Sequence, residues 1–496
     1  MVGSAPIRLG GAFGLPLSFA LICGFLAAPG VEAKQLIVHR PVTEPAPGDR
    51  GESVRSDAPD LSREFPHLLI DESLRKPEHR REKPGVRVGE PNASWSPGDL
   101  LPPSAIPRER RERALELLST RDPQRRSELL ASSLRGGSVP DTQRVLVMRV
   151  DFLADTPGER TTGNGRFDLR DSTDILFDPP PHDRKYFQRH MEALGRYYDV
   201  ELNGSLVLEF DVFPAADEEA YHLRDTLPYG PWIFSNNNPD VLQHAIDLVG
   251  DTLAEVDSTD QDVDFSKYQH FLLFHAGADF QGDVNRDTPW DIPSFNLFVT
   301  DPFVVQDSVA IDLVMVVPET VSQDDFLGAL NGVVTHEFGH QLGFTDLYDV
   351  RNGLPVVGAY SLMDSGDNLF ALIEDPDDPG RNLAVRGTLP ASVDPFHKTL
   401  LYPDGVDLID VGRTLESDQS KLDFSLRSVQ LGNEIGTVSL NNSEYLLIEN
   451  RHLDLNGDST VIIRQDPETG VILGPEPDSS AVGDTLGYRE YDWLIP

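Results

Sequence analysis

Residues 336–348 hold the feature that most constrains the fold of this chain: two histidines four positions apart, with a glutamate directly after the first. On an α-helix, residues four apart lie on one face, so the imidazoles of His336 and His340 can converge on one metal ion. The alternative is a surface helix that carries two histidines by chance. Apolar flanks favour a buried helix instead, and they comprise Val333, Val334, Phe338, Leu342 and Phe344.

The residues around this pair predict a catalytic zinc centre. Glu337 follows the first ligand, so its carboxylate can reach a water at the metal and act as a general base. Gly343 can leave the helix in a backbone conformation that other residues resist, and this turn can bring Asp346 to the ion as a third ligand. Three protein ligands leave a fourth position open, which is typical of catalytic rather than structural zinc sites.

The first 33 residues predict a signal peptide. Arg8 precedes an apolar stretch from about Ala12 to Ala28, and Val31-Glu32-Ala33 is a small-x-small cleavage site. Gly and Pro interrupt the stretch, which is short for a membrane span; an N-terminal membrane anchor and a lipid anchor at Cys23 are the alternatives. Cys23 is the only cysteine, so the processed chain cannot form a disulfide bond. We expect a secreted, extracellular protein stabilised by a large core, bound metal ions or both.

Charge divides the remaining chain into two parts. Residues 34–140 contain 19 Lys and Arg against 17 Asp and Glu, whereas residues 141–496 contain 22 against 64. The excess of acidic residues in 141–496 argues against nucleic acid as a partner, because the phosphate backbone would be repelled. The first part is rich in Pro, Arg and Glu up to about residue 105, and residues 107–135 show amphipathic helical spacing. We therefore predict a partly disordered propeptide over 34–140, whose amphipathic segment is either an exposed linker or an inhibitory segment.

Apolar runs from Arg144 onward predict a globular domain. Strands are predicted at 144–152, 206–213, 270–274 and 309–317, and helices at 184–198 and 239–256. We expect the helix with the metal motif to begin near Ser322, with Asp324 and Asp325 in its first turn. This order predicts an α/β (α+β) fold over 141–410, a zincin- or metzincin-like domain with a mixed sheet, a backing helix and an active-site helix.

From about Arg144 to its end, the chain resembles the immune inhibitor A family of secreted bacterial metallopeptidases. The metal motif fits the family pattern H-E-x-x-H-x-x-G-x-x-D-x-Y-D through Asp349, with Thr345 where the family often has Pro. Other similar segments are residues 275–279, 358–366, 387–391, 395–398 and 444–451. The resemblance implies a propeptide, a catalytic zinc and commonly bound calcium. It also implies that Met363 forms an apolar floor beneath the zinc ligands, an ordinary loop methionine being the alternative.

Two acidic loops are candidate calcium sites. The first comprises Asp279, Asp283, Asn285 and Asp287, and the second comprises Asp454, Asn456 and Asp458. Neither fits the twelve-residue calcium loop, and solvated turns are the alternative, because Asp, Asn and Gly are common turn residues. In relatives, a tract like residues 491–496 leads into a further strand, so we expect residues 411–496 to be an incomplete β-rich C-terminal region.

These features together predict a zinc-dependent endopeptidase with protein or peptide substrates and its own propeptide as a possible inhibitor. Tyr348, Tyr360 and His397 are candidates for a second stabiliser of the oxyanion. One alternative is a secreted binding protein with the same fold and no activity, and another is a zinc hydrolase of non-peptide substrates. Glu337 argues against the first alternative, because a pure binding protein has no need of that carboxylate.

Overall fold

A computed structural model of the chain describes residues 34–39, 141–154, 161–171, 177–224, 226, 229–232, 241–324, 326–349, 353–375, 378, 380–402, 405–410, 424–439, 445–455, 457, 460–477 and 487–496. The predicted signal peptide, the amphipathic segment at 107–135, Asn456 and Asp458 lie outside the described residues. The described residues all belong to one compact unit, Ala33–Pro496. None of their helices combines the length and the apolar character that a membrane span requires.

The described residues contain strands and helices in alternation, followed by a strand-rich part. The strands are β1 (Lys34–His39), β2 (Asp141–Asp151), β3 (Leu206–Phe213), β4 (Tyr221–His222), β5 (His270–Ala278), β6 (Phe295–Val305), β7 (Val309–Thr320), β8 (Phe370–Glu374), β9 (Asn382–Arg386), β10 (Asp407–Asp410), β11 (Glu434–Ser439), β12 (Tyr445–Glu449), β13 (Val461–Gln465) and β14 (Ile472–Glu476). The α-helices are α1 (Arg184–Glu201), α2 (Val241–Thr259), α3 (Asn331–Gln341), α4 (Pro395–Leu401) and α5 (Val429–Gly432).

The central sheet is mixed. Its strands follow the order β3-β2-β5-β7-β6, and β4 also pairs with β2. The pairs β2–β3, β2–β5 and β5–β7 are parallel, whereas β6 adds to the edge antiparallel to β7. The predicted α+β class with a mixed sheet is therefore confirmed, and each strand predicted from the apolar runs is present.

Alternate residues of the central strands pack on opposite faces of this sheet. In β2, Val145 and Val147 lie in one buried cluster, and Leu146 and Met148 lie in another. The first cluster also contains buried residues of α1 and α3, and the second contains buried residues of α2. The sheet thus lies between two helical layers, which is why its parallel strands are apolar on both faces. The metal motif on α3 lies on the first face.

A second sheet joins distant parts of the chain in the order β14-β13-β1-β8-β9. Strand β1 directly follows the predicted signal cleavage site, and it pairs antiparallel with both β13 and β8. The start of the predicted propeptide therefore lies between strands that come after the metal motif in sequence. A third sheet has the order β10-β11-β12. From the predicted C-terminal region, Trp493, Leu494 and Ile495 are buried in the same cluster as α1 and α3.

The metal-motif helix begins later than predicted. Helix α3 starts at Asn331 rather than near Ser322, and Asp324 has a φ of 55°, which a helix does not permit. Side-chain hydrogen bonds stabilise a loop instead: Ser322 Oγ donates to Gly328 O and accepts from Gly328 N. This competition between a serine hydroxyl and the helical ladder is the physical reason for the error. Asp325 lies outside the described residues.

Candidate metal centre

The structure brings His336, His340 and Asp346 together. The Nε2 atoms of His336 and His340 lie 3.3 and 3.4 Å from Asp346 Oδ1. Asp346 Oδ1 is buried and has no hydrogen-bond donor among the described residues. The two Nε2 atoms and Asp346 Oδ1 therefore face a common point, where they could all bind one metal ion. Zinc fits this set, because imidazole nitrogens and a carboxylate oxygen are among its usual ligands.

The end of α3 explains how Asp346 reaches the histidines. Gly343 has a φ of 90°, in the left-handed region that favours glycine. Its N–H donates to His340 O at 3.0 Å, and Phe344 N–H donates to Gly339 O at 2.9 Å. These paired bonds are those of a Schellman C-cap, which reverses the chain direction after the helix. Asp346 follows three residues after Gly343.

Two backbone carbonyls orient the imidazoles. His336 Nδ1 lies 3.0 Å from Leu362 O, and His340 Nδ1 lies 2.9 Å from Phe344 O. A carbonyl oxygen only accepts hydrogen bonds, so each Nδ1 carries a proton and directs Nε2 towards the common point. This arrangement is the usual one for histidines that bind a metal through Nε2.

The charges of the cluster favour ionised groups. Burial lowers the pKa of His336, but the Asp346 carboxylate beside it and the other nearby carboxylates outweigh burial and raise the pKa to about 10. Burial raises the pKa of Asp346, but the two histidines hold it well below its usual range. Protons and a metal therefore compete for the same Nε2 atoms.

Glu337 lies on the same helix and has a neighbour that sequence reasoning did not identify. Asn296 Nδ2, on the edge strand β6, lies 2.8 Å from Glu337 O and 2.7 Å from Glu337 Oε2. The two residues are 41 positions apart, and no spacing rule connects them. The contact could be predicted only from the packing of β6 beside α3, which the sequence alone does not show.

The turn that contains Met363 packs directly against α3. Met363 is fully buried, and a Cβ added at Gly339 would lie 2.7 Å from its sulfur atom. The same turn supplies Leu362 O to His336, and Met363 O accepts from Leu347 N at 2.8 Å. The turn therefore contacts the helix and also holds the segment that carries Asp346.

The three candidates for an oxyanion stabiliser have different surroundings. Burial and the nearby Asp346 and Glu337 carboxylates raise the pKa of Tyr348, which places its phenol beside the site. Tyr360 is 47% exposed. His397 is buried, with Nδ1 2.7 Å from Asp394 and Nε2 accepting from the N–H of the residue before Asp346 at 3.0 Å. Both nitrogens of His397 are thus occupied in holding the loop, and we keep Tyr348 as the candidate.

The upstream acidic loop separates into two parts. Carboxylate oxygens of Asp283 and Asp287 come together with one of Asp324, and this group could hold a cation. Asn285 N–H donates to Asp324 Oδ2 at 2.9 Å. Asp279 instead is buried and accepts from the backbone N–H groups of residues 281 and 294, both at 3.2 Å. Calcium binding here stays a prediction, with Asp324 as a member that the sequence did not indicate.

Residues 259–372 match the family model of the immune inhibitor A peptidase M6 catalytic domain. Over these residues the chain is similar to the catalytic domain of the immune inhibitor A family. The matched residues include strands β5 to β7, helix α3, the metal motif and the turn with Met363. A search of curated proteins gives no match to this chain. The match supports a metallopeptidase domain, and it confirms the predicted family resemblance over residues 259–372.

Proposed function

We propose that this protein is a secreted zinc-dependent endopeptidase that is made as a proenzyme. One observation carries the zinc assignment: the Nε2 atoms of His336 and His340 lie within 3.4 Å of a buried oxygen of Asp346 that accepts no hydrogen bond from the described residues. Glu337 comes between the two histidines in sequence, on the same helix. The family match supports the peptidase activity of this site.

Each residue of the site has a task in peptide hydrolysis. His336, His340 and Asp346 would hold the zinc ion, which when bound supplies a Lewis acid that polarises a carbonyl and acidifies water. The Glu337 carboxylate would accept a proton from the attacking water and return it to the leaving amine. The Tyr348 phenol, beside Asp346 and Glu337, would donate a hydrogen bond to the developing oxyanion.

The sequence supports export and latency. The apolar N-terminal stretch with its small-x-small site supports secretion, and the charge difference between residues 34–140 and the acidic remainder supports a propeptide that binds the catalytic part. N-terminal sequencing of protein recovered from the culture medium tests both points. A start near Lys34 or near residue 140 is expected, and an intact Met1 in the cell membrane would contradict secretion.

Metal removal tests the proposed chemistry. Purified protein is treated with a chelator, dialysed and assayed on casein and on peptides blocked at both ends. Cleavage of the blocked peptides that disappears on chelation and returns with about one zinc per chain is expected. Cleavage only from a free terminus would contradict an endopeptidase, and cleavage that survives chelation would contradict a zinc enzyme. Zinc binding without cleavage of any peptide would favour the non-catalytic alternative.

A further inference from the structure

The edge strand β6 supplies a side chain that holds the Glu337 carboxylate. Asn296 Nδ2 contacts both Glu337 O and Glu337 Oε2, at 2.8 and 2.7 Å. A side-chain amide has two N–H groups, so both hydrogen bonds can form at the same time. One of them fixes the distance between β6 and α3, and the other fixes the carboxylate relative to its own backbone.

The orientation of the Asn296 amide follows from its partners. Glu337 O is a backbone carbonyl and never donates, so the amide nitrogen rather than the oxygen must face it. Asn296 Oδ1 then faces Gln341, whose Nε2 donates to it at 2.8 Å. Gln341 lies one helical turn after Glu337 and is 1% exposed. Asn296 is therefore held from both ends and cannot flip without losing three hydrogen bonds.

We infer that Asn296 is a positioning residue, which holds the Glu337 carboxylate in the orientation that proton transfer requires. This inference rests on the proposed function. Hydrogen bonds to a carboxylate are short and strong, and a carboxylate without one samples several rotamers. Losing the productive orientation of a catalytic group by about 1 Å costs on the order of 100-fold in rate. Gln341 contributes by fixing the amide of Asn296.

The first test separates turnover from binding. For Asn296→Ala we expect kcat to fall roughly 10- to 100-fold, with KM and zinc content within about twofold of wild type. Asn296→Asp keeps the shape but offers no N–H when ionised, so its kcat should fall at least as far. Wild-type kcat in both variants would overturn the inference. A rise in KM or a loss of zinc without a fall in kcat would also overturn it.

The second test needs no activity. In metal-free protein, thermal unfolding is measured for Asn296→Ala, Glu337→Ala and the double variant. Because the Glu337 carbonyl is present in every variant, the cycle isolates the bond to the carboxylate. We expect Asn296→Ala to lower the unfolding midpoint by roughly 1–4 °C more in the presence of Glu337 than in its absence. Equal shifts in both backgrounds would overturn the inference.

Asn331→Ala is the matched control. Asn331 also lies on α3 and also donates from Nδ2 to a backbone carbonyl, Ile472 O at 2.7 Å, but it does not contact Glu337. It should lower the unfolding midpoint, show no coupling to Glu337→Ala, and leave the kcat of zinc-loaded enzyme within about twofold. If wild type cleaves no peptide but the Asn296–Glu337 coupling is present, the proposed function fails while the orienting contact stands.

Discussion

Substituting Gly332 by alanine should displace the metal-motif helix from the turn that supports it. A Cβ at Gly332 would lie 2.0 Å from Asp367 O and 3.0 Å from Gly387 Cα. Both neighbours are backbone atoms, and Gly332 N–H also donates to Gly387 O at 2.9 Å. No side-chain rotation can relieve this contact, so the two backbones must separate by about 1 Å or more.

The magnitude follows from two opposing effects. Overpacking against a rigid neighbour costs about 1–3 kcal/mol and sometimes more, and backbone contact at 2.0 Å lies at the upper end. Alanine favours a helix over glycine by about 1 kcal/mol. We therefore expect a net loss of about 2 kcal/mol or more, which lowers the unfolding midpoint of a unit as large as Ala33–Pro496 by roughly 2–3 °C or more. His336 lies one turn further along α3, so kcat should fall by about tenfold or more.

Thermal unfolding and casein hydrolysis are measured for Gly332→Ala beside Gly250→Ala. Gly250 lies in α2, on the opposite face of the central sheet, and a Cβ there would meet the Phe303 ring, a side chain, at 3.2 Å. This control should unfold within about 1 °C of wild type and cleave normally, because the ring can move and the helix gains alanine propensity. If Gly332→Ala unfolds and cleaves casein like the control, the close approach between α3 and the turn at Asp367 does not hold the metal-motif helix in position, and the reasoning is refuted.

Three further predictions concern parts of the fold that hold the site. Arg451→Met should lower the free energy of unfolding by about 3–5 kcal/mol in urea titrations, because the buried carboxylate of Asp492 and the partly buried carboxylate of Glu449 lose their counter-charge. An unchanged midpoint would refute this. Ile37→Pro should lower the unfolding midpoint, because it removes an N–H from inside strand β1. The same change at the first residue of the strand should be tolerated. Equal effects of the two substitutions on the midpoint would contradict the observed pairing. Burial raises the pKa of Asp394, but His397 and hydrogen bonds lower it to about 2, below the unfolded value of 3.8. Between these two pKa values the unfolded state binds more protons than the folded state. Roughly 2 kcal/mol of the wild-type unfolding free energy should therefore be present above pH 4 and be lost as the pH falls to 2, and Asp394→Asn should lack this contribution. Parallel pH profiles of unfolding free energy for wild type and Asp394→Asn would contradict this.

The sequence predicted those parts of the structure that depend on local periodicity. Continuous apolar runs identify β2, β5 and β7, because strands between two helical layers are buried on both faces. The convergence of His336 and His340 follows from helical spacing, and the return of Asp346 follows from Gly343. These relationships span 12 residues or fewer, so neighbouring positions carry the whole signal.

Long-range contacts explain what the sequence did not predict. Lys34–His39 forms a strand only because β8 and β13, more than 300 residues away, lie on either side of it. Asn296 meets Glu337 because β6 adds antiparallel to the edge of the sheet, and no local pattern indicates that pairing. The predicted start of α3 was wrong because the hydrogen bonds between Ser322 and Gly328 hold a loop there, and acidic residues near 324 occur in such loops as well as at helix N-termini.

Zinc content and casein hydrolysis, measured side by side on residues 34–496 and on the same protein with Glu337→Gln, test the central claim most directly. Both proteins should bind about one zinc, because Glu337 is not a ligand in the proposed site, and only wild type should cleave casein. A Glu337→Gln variant that cleaves at the wild-type rate would contradict the proposed base. If neither protein cleaves, even after the chain is cut between strand β1 and Asp141, the peptidase mechanism is wrong for this chain.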